Sequence, residues 1–219
     1  MRILIAALSG LLMASQSASA EQPKLFKDWA YKTPIASFSQ ELGFYDCAAD
    51  FGAKAVCIDD VEFLGYPFGA VLSPTEGALA EVMLVAEFDY DLYVKLMGAL
   101  AGGFTLISMR GANDQLDLLE TLQASRNSQQ FQSRLNDYET LGLSQGQLTY
   151  TFIEQSVDVV RRFSTASAAA FAAPETARLA ELVVYEDEYE STLLVKFALP
   201  TLSRESARES IQRMPVEDF

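Results

Sequence analysis

Two groups of strand-patterned runs, each closed by a tight turn, constrain this chain more than any other feature. In the first, residues 61–64 and 70–72 are short apolar runs interrupted by Gly65-Tyr66-Pro67, and Pro74 and Gly77 frame a turn into residues 79–88. In that last run Val82, Leu84, Ala86 and Phe88 alternate with Leu79, Met83 and Val85. Both faces are apolar, so the strand is expected to be central and covered on both sides. The second group pairs residues 182–185 with 192–199 around the charged tip Glu186-Asp187-Glu188, and places Leu193, Val195, Phe197 and Leu199 on one face. Strands joined by turns pair antiparallel, whereas a doubly wound parallel sheet needs β-α-β alternation with crossovers. The expected fold is α+β: a mainly antiparallel sheet including hairpins near 61–88 and 181–199, with helices packed on at least one face.

Helical spacing fills the intervals. Asp89 or Asp91 can cap a helix carrying Leu92, Leu96, Met97 and Leu100, and Gly102-Gly103 can end it. Apolar residues from Leu116 to Tyr138 predict helix over 113–140, with a polar interruption at 125–130. An alanine-rich stretch predicts helix over 157–173, and 203–214 reads as a polar terminal helix. Residues 35–45 support one helical turn, and 147–152 alternate as a half-buried strand. Leu79-Ala80-Glu81 recurs as Leu179-Ala180-Glu181, each leading into a strand. Common composition accounts for that match, and a duplicated unit is the alternative.

The first twenty residues carry an export signature: Arg2, an apolar run from Ile3 to Met13, then Ala18-Ser19-Ala20 with small residues at a cleavage position. Eleven apolar residues span only about 16 Å as a helix, too short to cross a bilayer. The expectation is a signal peptide over 1–20, cleavage after Ala20, and one α+β domain over 21–219 in the periplasm or outside the cell. In that oxidising setting Cys47 and Cys57, the only cysteines, should form a disulfide.

Charge and missing residue types narrow the chemistry. The chain has 30 acidic and 16 basic residues and a net charge of −14, which argues against nucleic acid and anionic membrane surfaces as partners. There is no histidine, so Ser–His and Cys–His nucleophilic pairs are impossible. Glycine-rich phosphate cradles are missing as well, and nothing in the sequence calls for a cofactor. Acid is concentrated between Glu41 and Asp91, where eleven acidic residues face one basic residue, Lys54. Asp46, Asp50, Asp59, Asp60 and Glu62 surround the cysteines, and Asp89 and Asp91, with Glu87, follow the first hairpin. These form a candidate cation or partner surface, although the spacing of a calcium-binding EF-hand is absent. Tyr66 and Phe68, between Gly65 and Gly69, form a candidate recognition loop, the alternative being core at a strand bulge.

The resulting expectation is an exported, non-enzymatic binding or interaction protein presenting an acidic surface to a basic protein or peptide, or to cations. Two alternatives stay open. One is a carboxylate-dependent hydrolase acting on a polysaccharide, which would need two acids in one pocket with one of them desolvated. The other is a carrier of a small apolar ligand, which would need a cavity of a few hundred Å³.

Overall fold

The alternation in the sequence is realised as a broad antiparallel sheet with helices on both sides. The computed structural model describes residues 22–186 and 190–213. A small hairpin comes first, β1 (Lys24–Phe26) and β2 (Trp29–Ala30), followed by 3-10 turns at Ile35–Ser37 and Gln40–Leu42. Next are β3 (Tyr45–Asp46), a one-turn helix α1 (Ala48–Phe51), and the strands β4 (Val56–Phe63), β5 (Tyr66–Thr75) and β6 (Ala78–Glu87). Helix α2 (Tyr90–Gly103) leads to β7 (Thr105–Arg110), β8 (Gln115–Asp117), α3 (Leu118–Ala124) and α4 (Ser128–Ser144). The chain continues through β9 (Gln147–Ile153), the short helices α5 (Val157–Val160) and α6 (Ala166–Phe171), β10 (Leu179–Glu186), β11 (Ser191–Ala198) and α7 (Pro200–Arg213). The leader 1–20, the tip residues Asp187 and Glu188, and Met214 of the expected terminal helix lie outside the described residues.

Among the described residues the main sheet has nine strands in the order β3-β4-β5-β6-β11-β10-β9-β7-β8. Every neighbouring pair is antiparallel. Two three-stranded meanders, β4-β5-β6 and β9-β10-β11, therefore meet along β6 and β11. This topology sets β6 opposite β11, not β10. The shared Leu-Ala-Glu segments sit on β6 and β10, so they do not mark equivalent strands.

One face carries the main core. Leu72, Leu84, Tyr150, Leu182, Val195 and Phe197 point into it, and Leu25 and Phe26, the α2 leucines Leu92, Leu96 and Leu100, and Phe131 and Leu135 of α4 close over it. Leucines spaced at four put one stripe of α2 on the sheet, and the Asp89 carboxylate caps its start by accepting from the Leu92 N–H at 2.8 Å. Arg178 pins the N-terminal hairpin to this core. Its Nε and Nη2 donate to the two Glu154 oxygens at 2.7 Å each, its Nη1 donates to the Leu25 carbonyl, and the guanidinium lies over Phe104 and Phe197.

The opposite face is covered only near its two ends. At one end the Cys47–Cys57 disulfide packs with Ala55 and Val71. At the other, α3, α5 and α6 place Leu119, Val160, Ala166 and Ala169 over Ile107 and Ile153. Asp117 ties two of these helices together: one carboxylate oxygen accepts from Leu119 and Glu120 at the start of α3, and the other from Ala166 of α6. Between the two ends Lys196 bridges Glu181 at 2.8 Å and Glu81 at 3.5 Å.

Several expectations are corrected by this arrangement. The strand expected at 79–88 is central, but it is buried on one face only. Met83 and Val85 on the other face pack against the disulfide cluster but stay half-buried. A bulge at Ser73/Pro74 pairs Pro74 with Leu79 and Ser73 with Glu81, which turns Leu79 onto the core face with Val82 and Leu84. The helix expected at 113–140 starts later, because β8 takes its first residues; the polar interruption expected at 125–130 falls before Asn127, whose side chain caps α4. The helix expected at 157–173 is two short helices.

Replacing both cysteines with serine should lower stability by about 2–3 kcal/mol, as expected for opening a short loop, in denaturant unfolding of the oxidised protein. Free-thiol labelling of the native, unreduced protein should find none. A second outcome concerns Glu154. Burial pushes its pKa up, but the hydrogen bonds and charge of Arg178 outweigh this and hold it below the usual carboxylate value. A depressed folded pKa gives stability that is present above the carboxylate range and lost as pH falls through the folded value. Glu154→Gln should therefore be less stable than the parent at neutral pH, with the gap closing as pH falls below the ordinary glutamate range in parallel unfolding curves.

Candidate functional site

The acidic residues singled out by the sequence are exposed, and Asp46, Asp59 and Asp89 accept local hydrogen bonds. Asp46 accepts from the Ala48 N–H at 2.9 Å, Asp50 lies in the first turn of α1, and Asp59 accepts from the Tyr45 hydroxyl at 3.0 Å. Asp60 sits in the β4 bulge at φ +58°, and the carbonyl of Glu62 accepts from Lys27. Asp89 and Asp91 open α2, with strand β5 between them and the β4 group. All seven are exposed, as is Glu87. Among the described residues no group of three His, Cys, Asp or Glu side chains is placed to hold a metal ion. A glycosidase acid needs a carboxyl lifted out of water, and none of these eight is. Tyr66 and Phe68 belong to strand β5. Phe68 is 1% exposed and faces the core, and Tyr66 is half-buried with the Lys95 ammonium 4.6 Å from its ring centre. Gly65 precedes this strand and Gly69 lies within it, so Tyr66 and Phe68 sit on a strand and not in a loop.

The concave surface lies elsewhere, where β6, β10 and β11 end beside the start of α2 and the end of α4. A cleft of about 330 Å³ is walled by Phe88, Tyr90, Tyr93, Leu143, Tyr185 and Glu186. A second groove, about 640 Å³, carries Glu87 and Glu190 and shares the lining residues Phe88 and Ser191 with the cleft. The ladder explains the juncture: the Phe88 N–H donates to the Ser191 carbonyl at 2.8 Å, one step beyond the Glu87–Thr192 pair.

Apolar surface is left in water here. Tyr90 is 68% exposed, Phe88 and Tyr185 are each 39% exposed, and Leu143 is 37% exposed. Large apolar side chains gathered at one solvent-facing spot mark an interaction site more often than a packing accident. The rings are also ordered. Phe88 stacks on Tyr93 with centroids 6.3 Å apart, and Tyr90 lies 6.5 Å from Tyr93. Tyr93 is anchored from below, its hydroxyl 2.9 Å from that of Tyr150, which donates to Glu139 at 2.6 Å. Burial, and then the carboxylate bond, push the Tyr150 pKa far up, so this phenol stays protonated and serves as a fixed donor.

Two glycines let α4 and the following turn close the cleft. A Cβ on Gly142 would come within 2.6 Å of the Leu148 Cδ1, so any larger residue there would displace that buried side chain. Gly146 adopts φ +80°, and a Cβ there would sit 2.5 Å from the Glu186 carbonyl oxygen. The Gly146 carbonyl in turn accepts from the Glu186 N–H at 2.7 Å, fixing that rim residue.

Sequence reasoning did not single out Tyr90, Tyr93, Leu143, Tyr185, Glu139 or Tyr150. A signal was present: residues 87–93 and 185–190 both interleave aromatic and acidic side chains. Only the β6–β11 pairing brings the two segments together. Comparison with known protein families, curated proteins and solved structures finds no match to this chain.

Gly146→Ala should cost about 1–3 kcal/mol, the usual range for forcing atoms into an occupied space. The clash is with backbone, so Tyr185 and Glu186 should move. Chemical-shift changes confined to residues around 142–148 and 184–186 would report this.

Proposed function

We propose that this chain is an exported, non-enzymatic binding protein that receives a basic protein or peptide at the cleft and groove beside the strand ends. The observation that carries this reading is a coincidence of shape and charge. Aromatic surface is exposed at the cleft, Glu186 stands at its rim and Glu87 and Glu190 line the neighbouring groove, and among the described residues no lysine or arginine lines either. Apolar walls supply affinity by losing water, and the carboxylates select the sign of the ligand and speed its approach. The surplus of acid over base extends that attraction beyond the site. The sequence-level leader and the Cys47–Cys57 bridge support a place outside the cytoplasm, where such a bond persists. Among the described residues no helix is long and apolar enough to cross a membrane. The lack of histidine and the exposure of the candidate acids support binding over catalysis.

Stopped-flow mixing with a lysine–alanine peptide tests the proposal. Association should slow by about tenfold or more between low and high salt, because the attraction is screened beyond about 10 Å. Replacing Glu87, Glu186 and Glu190 together with glutamine should reproduce much of that loss at low salt. A parent protein that does not bind the peptide at low salt would overturn the proposal.

A further inference from the structure

We propose that the cleft seats one lysine side chain of an extended basic segment, holding its ammonium by cation–π attraction rather than by the acidic rim alone. This inference rests on the reading of the site as a receptor for a basic partner and names the chemistry of capture. Phe88, Tyr90 and Tyr93 form one wall of three neighbouring rings, and Tyr185 arrives from β10. Ring faces are electron-rich and attract a cation within about 6 Å, most strongly where water is excluded. A lysine suits the lining: its slim alkyl stem can lie on Leu143 and Val184 while its charged head meets rings and the Glu186 carboxylate.

Competing occupants fit less well. An anion would meet Glu186, with no lysine or arginine among the described lining residues to offset it. A wholly apolar ligand would leave that rim carboxylate without use, in a cleft whose wall residue Tyr90 stands 68% exposed. The neighbouring groove favours a cation carried on a chain: with one side chain in the cleft, the segment would cross the sheet end at Phe88 and Ser191, beyond which stand Glu87 and Glu190. The seat is built in advance, because Tyr150 and Glu139 hold the Tyr93 hydroxyl from beneath, with Glu139 3.4 Å from it. A pre-positioned ring spares the ligand the entropy of ordering it.

Calorimetric titration of the protein lacking the leader uses three probes: a capped peptide of alternating lysine and alanine, the same peptide with its lysines acetylated, and tetramethylammonium. The charged peptide should bind, and acetylation should abolish binding. Tyr90→Leu keeps apolar bulk without a ring face and should weaken the charged peptide by roughly 3- to 30-fold, the range for one desolvated cation–π contact. Tyr185→Leu should act in the same direction. Unchanged thermal melting of both variants will show that they fold. Unaltered affinity in both, with binding still abolished by the triple glutamine variant, would overturn the aromatic seat and leave the acidic receptor standing. Equal binding of the acetylated peptide would overturn the lysine assignment. Tetramethylammonium binding at the same residues without peptide binding would assign the cleft to a free small cation and overturn the extended-segment occupant.

Discussion

The pairing of β6 with β11 is the contact on which the rest of the structure depends. Seven residue pairs, from Glu87–Thr192 to Glu81–Ala198, join two meanders far apart in sequence. Closing so long a loop costs entropy before any bond is gained, so the seam must be well rewarded. It is: Val82, Leu84, Leu193, Val195 and Phe197 bury their side chains in one cluster along it. The seam also places Lys196 between Glu81 and Glu181. Burial disfavours the charged ammonium there, but the two carboxylates more than offset it and raise its pKa above the usual lysine value. At its far end the same seam sets Phe88 against Ser191 and so creates the cleft.

The two sheet faces divide the labour of the molecule. One buries the aromatic and leucine-rich core under β1, α2 and α4, which gives the strands a rigid bed. The other is packed at its ends and carries ion pairs across its centre. Helices α2 and α4 lie on the packed face, so the start of one and the end of the other converge at the strand ends. The cleft is therefore made by termini of elements whose middles are buried. This lets exposed rings sit on a firm support.

Local pattern made much of this fold legible. Alternation marked β9, β10 and β11, the Asp89 cap and leucine spacing marked α2, and the two cysteines paired as their count implied. Illegible features needed knowledge of what lies opposite. The bulge that turns Leu79 inward is set by its partner strand. The late start of the helical region expected at 113–140 follows from Asp117, which ends β8 and whose carboxylate serves both α3 and distant Ala166. The acids were legible as a surplus but not as a site, since each one near the cysteines is exposed. Cleft residues come from separate stretches of chain, and a single local window contains only some of them.

The edges of the sheet have a consequence for life at high concentration. A sheet of this breadth would ordinarily expose two long rows of unpaired backbone groups, each a template for another chain. Here β3 is two residues long and β8 three, and β3 is covalently tied through Cys47 to its neighbour β4. Strands that short offer a second copy little to extend, and residues 58–63 of β4, beyond the reach of β3, are bent by the bulge between Ile58 and Val61, which blunts edge-to-edge pairing there. Contact with other chains is left to side-chain chemistry at the strand ends, which is selective, rather than to backbone pairing, which is not.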